Sequence, residues 1–390
     1  MKSIYLLLFI LGSAIAAKAQ FVTYNLGGTA AQHYYQEIPY ESINGKMIIQ
    51  VTVAGQAARF LFDTGAPTSI SKEIAQLSGA AVLRKDLITD AGGLKDSILV
   101  VSSKAIRLGD IAFNDVPAIT LIPDFFTCWG VTGIIGSNLL RNSVVSIDAV
   151  KHLIILTDQP EKLNLDPKHA SALVLSKAQS DPKIEIRLAK KVSMTMGFDT
   201  GDNSFLRLSE DFMRQLSKSK VFDVLSDGYG ATRISGFGEQ KAADKYLLRF
   251  PNFDLGSAKF SNVITYTDKN GIPGLGAKLL DYGIVTLDYI HKKFYFDPYK
   301  EITDLNEARW PFELSIDGDK LIFGTVWKAA SAQLKQGEQI LAINETAYPA
   351  VSLCQMLTSP SVFKGLETAL LTVKQADGTI KKIAVKKEML

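Results

Sequence analysis

Apolar and polar residues alternate from position 47 to 53, the two-residue period of a half-buried strand. Gly55 marks a turn, and Arg59-Phe60-Leu61-Phe62 then leads into Asp63, so this stretch predicts a β-hairpin that ends on a carboxylate. Residues 69–77 predict a short helix. β-rich pieces at 98–101 and 106–121 follow, punctuated by turns at Asp90-Ala91-Gly92-Gly93 and Gly109-Asp110. Further along, 133–140 and 144–148 read as an apolar glycine-flanked piece and a strand, and 274–280 and 284–288 read the same way. In the final stretch, 322–327, 340–344, 370–373 and 380–385 read as strands, the last two flanking a turn at Asp377-Gly378. Residues 329–334 and 352–357 read as short helices. The pattern predicts a mainly β chain.

The pattern repeats in detail. Phe62-Asp63-Thr64-Gly65 recurs as Phe198-Asp199-Thr200-Gly201. Gly133-Ile134-Ile135-Gly136 with its following strand recurs as Gly274-Leu275-Gly276 with its own. Asp63 and Gly136 are 73 residues apart, and Asp199 and Gly276 are 77 apart. A repeat with conserved internal spacing predicts two similar lobes. Polar, proline-bearing stretches near 157–170 and 297–311 place the boundaries, giving lobes at 20–160 and 170–297 and a smaller unit at 311–390.

Composition and charge narrow the partners. Apolar content of 47% and charged content of 21% fit a globular protein with sizeable cores. Lys2, an apolar run over 4–16 and Ala17-Lys18-Ala19 predict a secretory signal peptide, residues 1–19, and hence a periplasmic or extracellular protein with no transmembrane segment in its mature chain. Its removal takes the formal charge from +3 to +1, which gives no reason to expect a nucleic-acid or acidic-membrane partner. Residues 20–34 read as a short pro-segment or a free terminus. Cys128 and Cys354 fall in separate units and are expected as two separately buried thiols. His33, His152, His169 and His291 are scattered without ligand spacing, so no metal site is expected. The Gly-x-Gly pieces at Gly228 and Gly236 lack a βαβ setting for a nucleotide, and no Gly-x-Ser-x-Gly elbow is present.

The duplicated carboxylate carries the chemistry. Glycine after each motif permits a tight backbone path that projects the aspartate inward, and threonine can brace the loop. At an effective dielectric near 20, two charges 4 Å apart repel by about 4 kcal/mol. A facing pair therefore holds one proton, and such a pair can activate water and polarise a carbonyl. Residues 35–297 resemble the aspartic peptidases on these motifs. The resemblance implies a bilobal β-barrel fold and a catalytic pair at Asp63 and Asp199. It also implies support from Thr64, Gly65, Thr200 and Gly201, with Gly136 and Gly276 beneath the loops. Ala66 after the first motif is similar to the retroviral type. By the same resemblance, Gly92 and Gly93 form a glycine-rich flap tip, and Tyr229 and Gly230 belong to an equivalent cover in the second lobe. Asp202 departs from the family pattern: a third carboxylate either raises the pair's proton affinity or marks a site that has drifted.

The C-terminal unit resembles a PDZ domain, an α+β fold, on Trp327-Lys328-Ala329-Ala330 and Leu334 to Asn344. Such domains capture a peptide C-terminus, but the corresponding region near 317–322 lacks the usual glycine-rich loop. The function expected is an exported aspartic endopeptidase acting on peptide or protein substrates without cofactor, the PDZ-like unit aiding selection or regulation. The alternative is a catalytically inactive peptide-binding protein on the same fold, favoured by Asp202 and by the weaker second glycine element.

Overall fold

The computed structural model describes residues 23–89, 94–231, 234–235, 238–239 and 241–389. The expected signal peptide, Gly92 and Gly93 lie outside the described residues. Strands Lys46–Val53 and Gln56–Asp63 form the first hairpin, with Val53 opposite Gln56. Ala54 and Gly55 turn the chain with φ of 52° and 78°, the left-handed pair that a two-residue hairpin loop needs. The predicted helix begins later than its pattern suggests. Ser69–Ile70 is a short strand, and the helix is Lys72–Leu77, capped by the Ser71 side chain accepting from the Ile74 N–H. Ile70 is fully buried opposite Gly133, so a tertiary pairing removes it from the helix.

Each lobe delivers its aspartate by the same device. In the first, Gly133–Gly136 runs parallel to Gln56–Asp63 with Gly136 opposite Asp63. In the second, Gly274–Gly276 runs parallel to Val192–Asp199 with Gly276 opposite Asp199. Each glycine strand also pairs antiparallel on its other side, with Ser69–Ile70 or with Leu206–Ser209. These strands are covered on both faces, so Phe60, Leu61 and Phe62 are all buried and strict alternation is lost.

An interlobe sheet joins the halves. Its order is Tyr35–Ile43, Leu153–Thr157, Val144–Asp148, Gly283–Asp288, Lys293–Pro298 and Ala170–Leu175. The lobes meet where Ser146 pairs with Thr286, whose hydroxyl lies 2.9 Å from that of Ser146. One apolar core runs through both lobes and includes Phe62, Ile135, Phe198 and Leu275. The fold is therefore mainly β and bilobal, as the repeat predicts. The start of the described chain is tied down rather than free: the Tyr24 N–H donates to Ala178 O at 2.6 Å, and Asn138 Nδ2 donates to Tyr24 O at 3.2 Å.

The C-terminal residues pack a separate core that includes Phe312, Phe323, Ile340, Leu371 and Val373. Two contacts fasten it to the lobes. Strand Lys320–Trp327 pairs with Asp223–Gly230 of the second lobe. Helix Leu353–Thr358 lies against the 3-10 helix Asp124–Trp129 of the first lobe, where Leu357 joins the cluster of Ile48, Trp129 and Ile134. The expectation of two separate thiols is wrong: Cys128 and Cys354 form a disulfide, with their Cα atoms 4.8 Å apart. Distance along the chain placed no limit on their approach, because the docked helix carries Cys354 onto the first lobe. Replacing both by serine should lower the unfolding free energy by about 2–4 kcal/mol. Denaturant titration with and without reductant checks this, reduced wild type matching the double variant.

Candidate active site

The two Asp-Thr-Gly loops meet at the lobe junction, and the glycines are there for space. None of Gly65, Gly201, Gly136 or Gly276 has a left-handed φ. A Cβ on Gly65 would lie 2.4 Å from Asp199 Cγ, and one on Gly201 would lie 2.2 Å from Asp63 Oδ2. Each motif's glycine is the seat for the other motif's carboxyl. Gly136 and Gly276 do the same job in the layer below: a Cβ on either would lie 2.3 Å from backbone, at Thr68 N and Ser204 O respectively. The conformational argument for Gly65 and Gly201 is thus replaced by a steric one.

The threonines lock the loops reciprocally. Thr64 Oγ1 donates to Phe198 O at 2.8 Å and accepts from the Thr200 N–H at 3.1 Å. Thr200 Oγ1 donates to Phe62 O at 3.0 Å and accepts from the Thr64 N–H at 3.0 Å. Both threonines are fully buried. Each hydroxyl is satisfied across the lobe boundary, so losing either one strands a buried donor and a buried acceptor.

Held this way, the carboxyls are in contact. Asp63 Oδ1 accepts from the Gly65 and Ala66 N–H groups at 2.9 and 3.1 Å, and Asp199 Oδ1 accepts from the Gly201 N–H at 2.9 Å. The Asp63 carboxyl is pushed up to about 8, by burial first, then by the charge of Asp199 and the hydrogen bond shared with it. Lys46 and the Gly65 N–H pull in the opposite direction without prevailing. Lys46 reaches across from the first lobe, its Nζ donating to Gly201 O.

Sequence reasoning did not find Arg207. Its Nη1 pairs with Asp202 Oδ2, its Nη2 lies 3.3 Å from Asp199 Oδ2, and its Nε donates to Ile272 O at 2.6 Å. The charge of Asp202 is therefore matched by a guanidinium. A signal was present: Phe205-Leu206-Arg207-Leu208 sets one cation in an apolar run just after an unexpected aspartate. Lys46 was also missed, being an unremarkable turn residue in sequence.

The flap candidates have different settings. Strands Ala81–Thr89 and Lys95–Ser103 pair antiparallel, and Gly92 and Gly93 lie outside the described residues. Tyr229 and Gly230 end strand Asp223–Gly230, which pairs with Ala243–Leu255 on one edge and with the C-terminal unit on the other. A Cβ on Gly230 would lie 1.9 Å from Gly324 O, so the glycine serves that docking. The 317–322 region is a tight hairpin turn, with Asp317 opposite Lys320 and Gly318 at φ 63°.

Residues 49–139 match the family model for aspartyl proteases, a segment that holds the first motif and Gly136. Similar solved structures include an aspartic proteinase from Irpex lacteus, 13% identical, covering 69% of this chain and 98% of that one with a TM-score of 0.42. Basic 7S globulin from soybean is 12% identical, covering 67% and 94% with a TM-score of 0.37. Conglutin gamma, a basic 7S globulin from lupine seeds, is 12% identical, covering 68% and 95% with a TM-score of 0.36. No curated protein matches the chain. The matched segment holds the first motif, and outside it the second motif repeats the same register, Gly276 opposite Asp199 as Gly136 is opposite Asp63.

The raised Asp63 value has a consequence for stability. An unfolded aspartate ionises near pH 3.9, whereas folded Asp63 keeps its proton to about pH 8. Protons bound in the folded state exceed those in the unfolded state across that window, so this group's contribution is fully present below pH 4 and lost as pH rises through the folded value. An asparagine at this position would escape that loss and still accept from the Gly65 and Ala66 N–H groups. Asp63→Asn should therefore gain on wild type by roughly 5 kcal/mol between pH 3 and pH 8, at about 1.4 kcal/mol per pH unit, with the gain vanishing at pH 3. Thermal melts at both pH values check this.

Proposed function

We propose that this protein is an aspartic endopeptidase, with Asp63 and Asp199 as its catalytic pair. The observation that carries the reading is the pair of reciprocally braced loops that holds two carboxyls in contact, where burial and the Asp199 charge push the Asp63 carboxyl up. The ionised member takes a proton from water while the protonated member hydrogen-bonds the scissile carbonyl. The water oxygen adds to the carbonyl carbon, and the tetrahedral intermediate collapses with proton transfer to the leaving amine. No metal, cofactor or covalent intermediate enters the scheme. The peptide lies extended between the lobes, beneath the paired strands Ala81–Thr89 and Lys95–Ser103 and the paired strands Asp223–Gly230 and Ala243–Leu255.

The C-terminal unit, residues 311–390, is read as PDZ-like, acting on the site through the strand it pairs with Asp223–Gly230. The two lobes are read as residues 20–160 and 170–297. Export to the periplasm or exterior is supported by the leader-like N-terminus and by a disulfide, which persists in oxidising compartments. Among the described residues no helix is long and apolar enough to cross a membrane.

The test is cleavage of a diverse peptide library by residues 20–390 between pH 3 and 8. Asp63→Asn and Asp199→Asn should each lower kcat/KM by about 10³-fold or more while remaining folded. A folded wild type that cleaves nothing at any pH would contradict the reading and favour peptide holding without hydrolysis.

A further inference from the structure

We propose that Arg207 is a positioning residue that makes the pair asymmetric, holding the charge on Asp199 and leaving the proton on Asp63. The inference rests on the peptidase reading and deepens it. Asp199 Oδ1 accepts from the Gly201 N–H, and Oδ2 is the oxygen that a cation approaches. The Arg207 guanidinium lies 3.3 Å from that Oδ2. It is not a mobile surface charge: its side chain is only 9% exposed, and Ile272 O and Asp202 fix its plane from two further directions. Asp202 is equally buried and serves as the anchor. The fourth residue of the second motif thus acts by recruiting a cation to the outer oxygen of its own aspartate.

The first motif has no carboxylate at the matching position. The fourth residue there is Ala66, whose N–H goes to Asp63 Oδ1. The charged groups facing the pair are Lys46 from strand Lys46–Val53, Asp202 from the second motif loop and Arg207 from strand Leu206–Ser209. Lys46 is the cation on the Asp63 side, and its ammonium is drawn to Gly201 O. Two cations and three carboxyls leave the cluster neutral when one proton is bound. A guanidinium directly on Asp199 decides where that proton sits, because an adjacent cation favours the ionised form.

The roles follow. Asp199 takes the proton from water as its oxygen bonds to the carbonyl carbon, and Asp63 gives its proton to the carbonyl oxygen. When the C–N bond breaks, the proton held by Asp199 passes to the leaving nitrogen. Asp63 recovers its own from the hydroxyl that becomes the carbonyl again.

The experiment is a carboxyl ¹³C NMR titration of the full mature chain, assigned with Asp63→Asn and Asp199→Asn, run beside pH profiles of kcat/KM. Arg207→Met alone would leave Asp202 buried without its partner, so the variant used is Asp202→Asn with Arg207→Met. Arg207→Lys is the conservative control. In wild type the pair's first proton loss should be seen at Asp199. In the double variant that loss, and the acid limb of the profile, should move up by about one pH unit, whereas Arg207→Lys should stay close to wild type. A folded double variant with unmoved titration and profile, or a wild type whose first loss is at Asp63, would overturn the role of Arg207. A wild type with the predicted titration but no cleavage would retract the peptidase reading and leave the role of Arg207 standing.

Discussion

The molecule is organised around one close approach. Two loops from separate lobes come near enough that the glycine of each is overlain by the carboxyl of the other, and two buried threonines exchange hydrogen bonds across the gap. No atom there can be displaced without stranding a buried polar group or driving a side chain into a carboxylate. Much of the rest serves that approach. The parallel glycine strands set the height of each loop, and the interlobe sheet fixes the distance between halves. One apolar core is shared by both lobes.

The electrostatics follow from that geometry. Carboxyls forced together in a packed floor retain a proton, which is the property acid–base hydrolysis needs. Asp202 reads in sequence as a liability, but its charge is matched by Arg207 in an ion pair whose side chains are nine-tenths buried. The site therefore differs between its halves although its backbone is duplicated. Lys46 approaches from one side and Arg207 from the other.

The backbone of this site was legible in the sequence because it is written twice. Each Asp-Thr-Gly and each downstream glycine element occupies the same register, so a repeat of similar spacing was enough to infer two lobes. Short strands such as Ser69–Ile70 were not legible, since their pairing partners lie some sixty residues away and a local helical pattern competes. The role of Gly65 and Gly201 was misjudged for a related reason: the crowding atom belongs to the other lobe. Arg207 and Lys46 carry no motif, and only the folded cleft gives them a partner. The disulfide was hidden by 226 residues of separation, which says nothing about proximity once a helix from one unit docks on another.

That docking extends the constraint outward. The C-terminal unit holds the first lobe through the disulfide and the second through a strand paired with Asp223–Gly230. It therefore spans the two halves that form the cleft. These halves are set so that their carboxyls share one proton. Neutron diffraction from deuterated crystals at neutral pH tests this most directly. A single deuteron between the carboxyls, bonded to Asp63, is expected; two bare carboxylates would refute a shared proton.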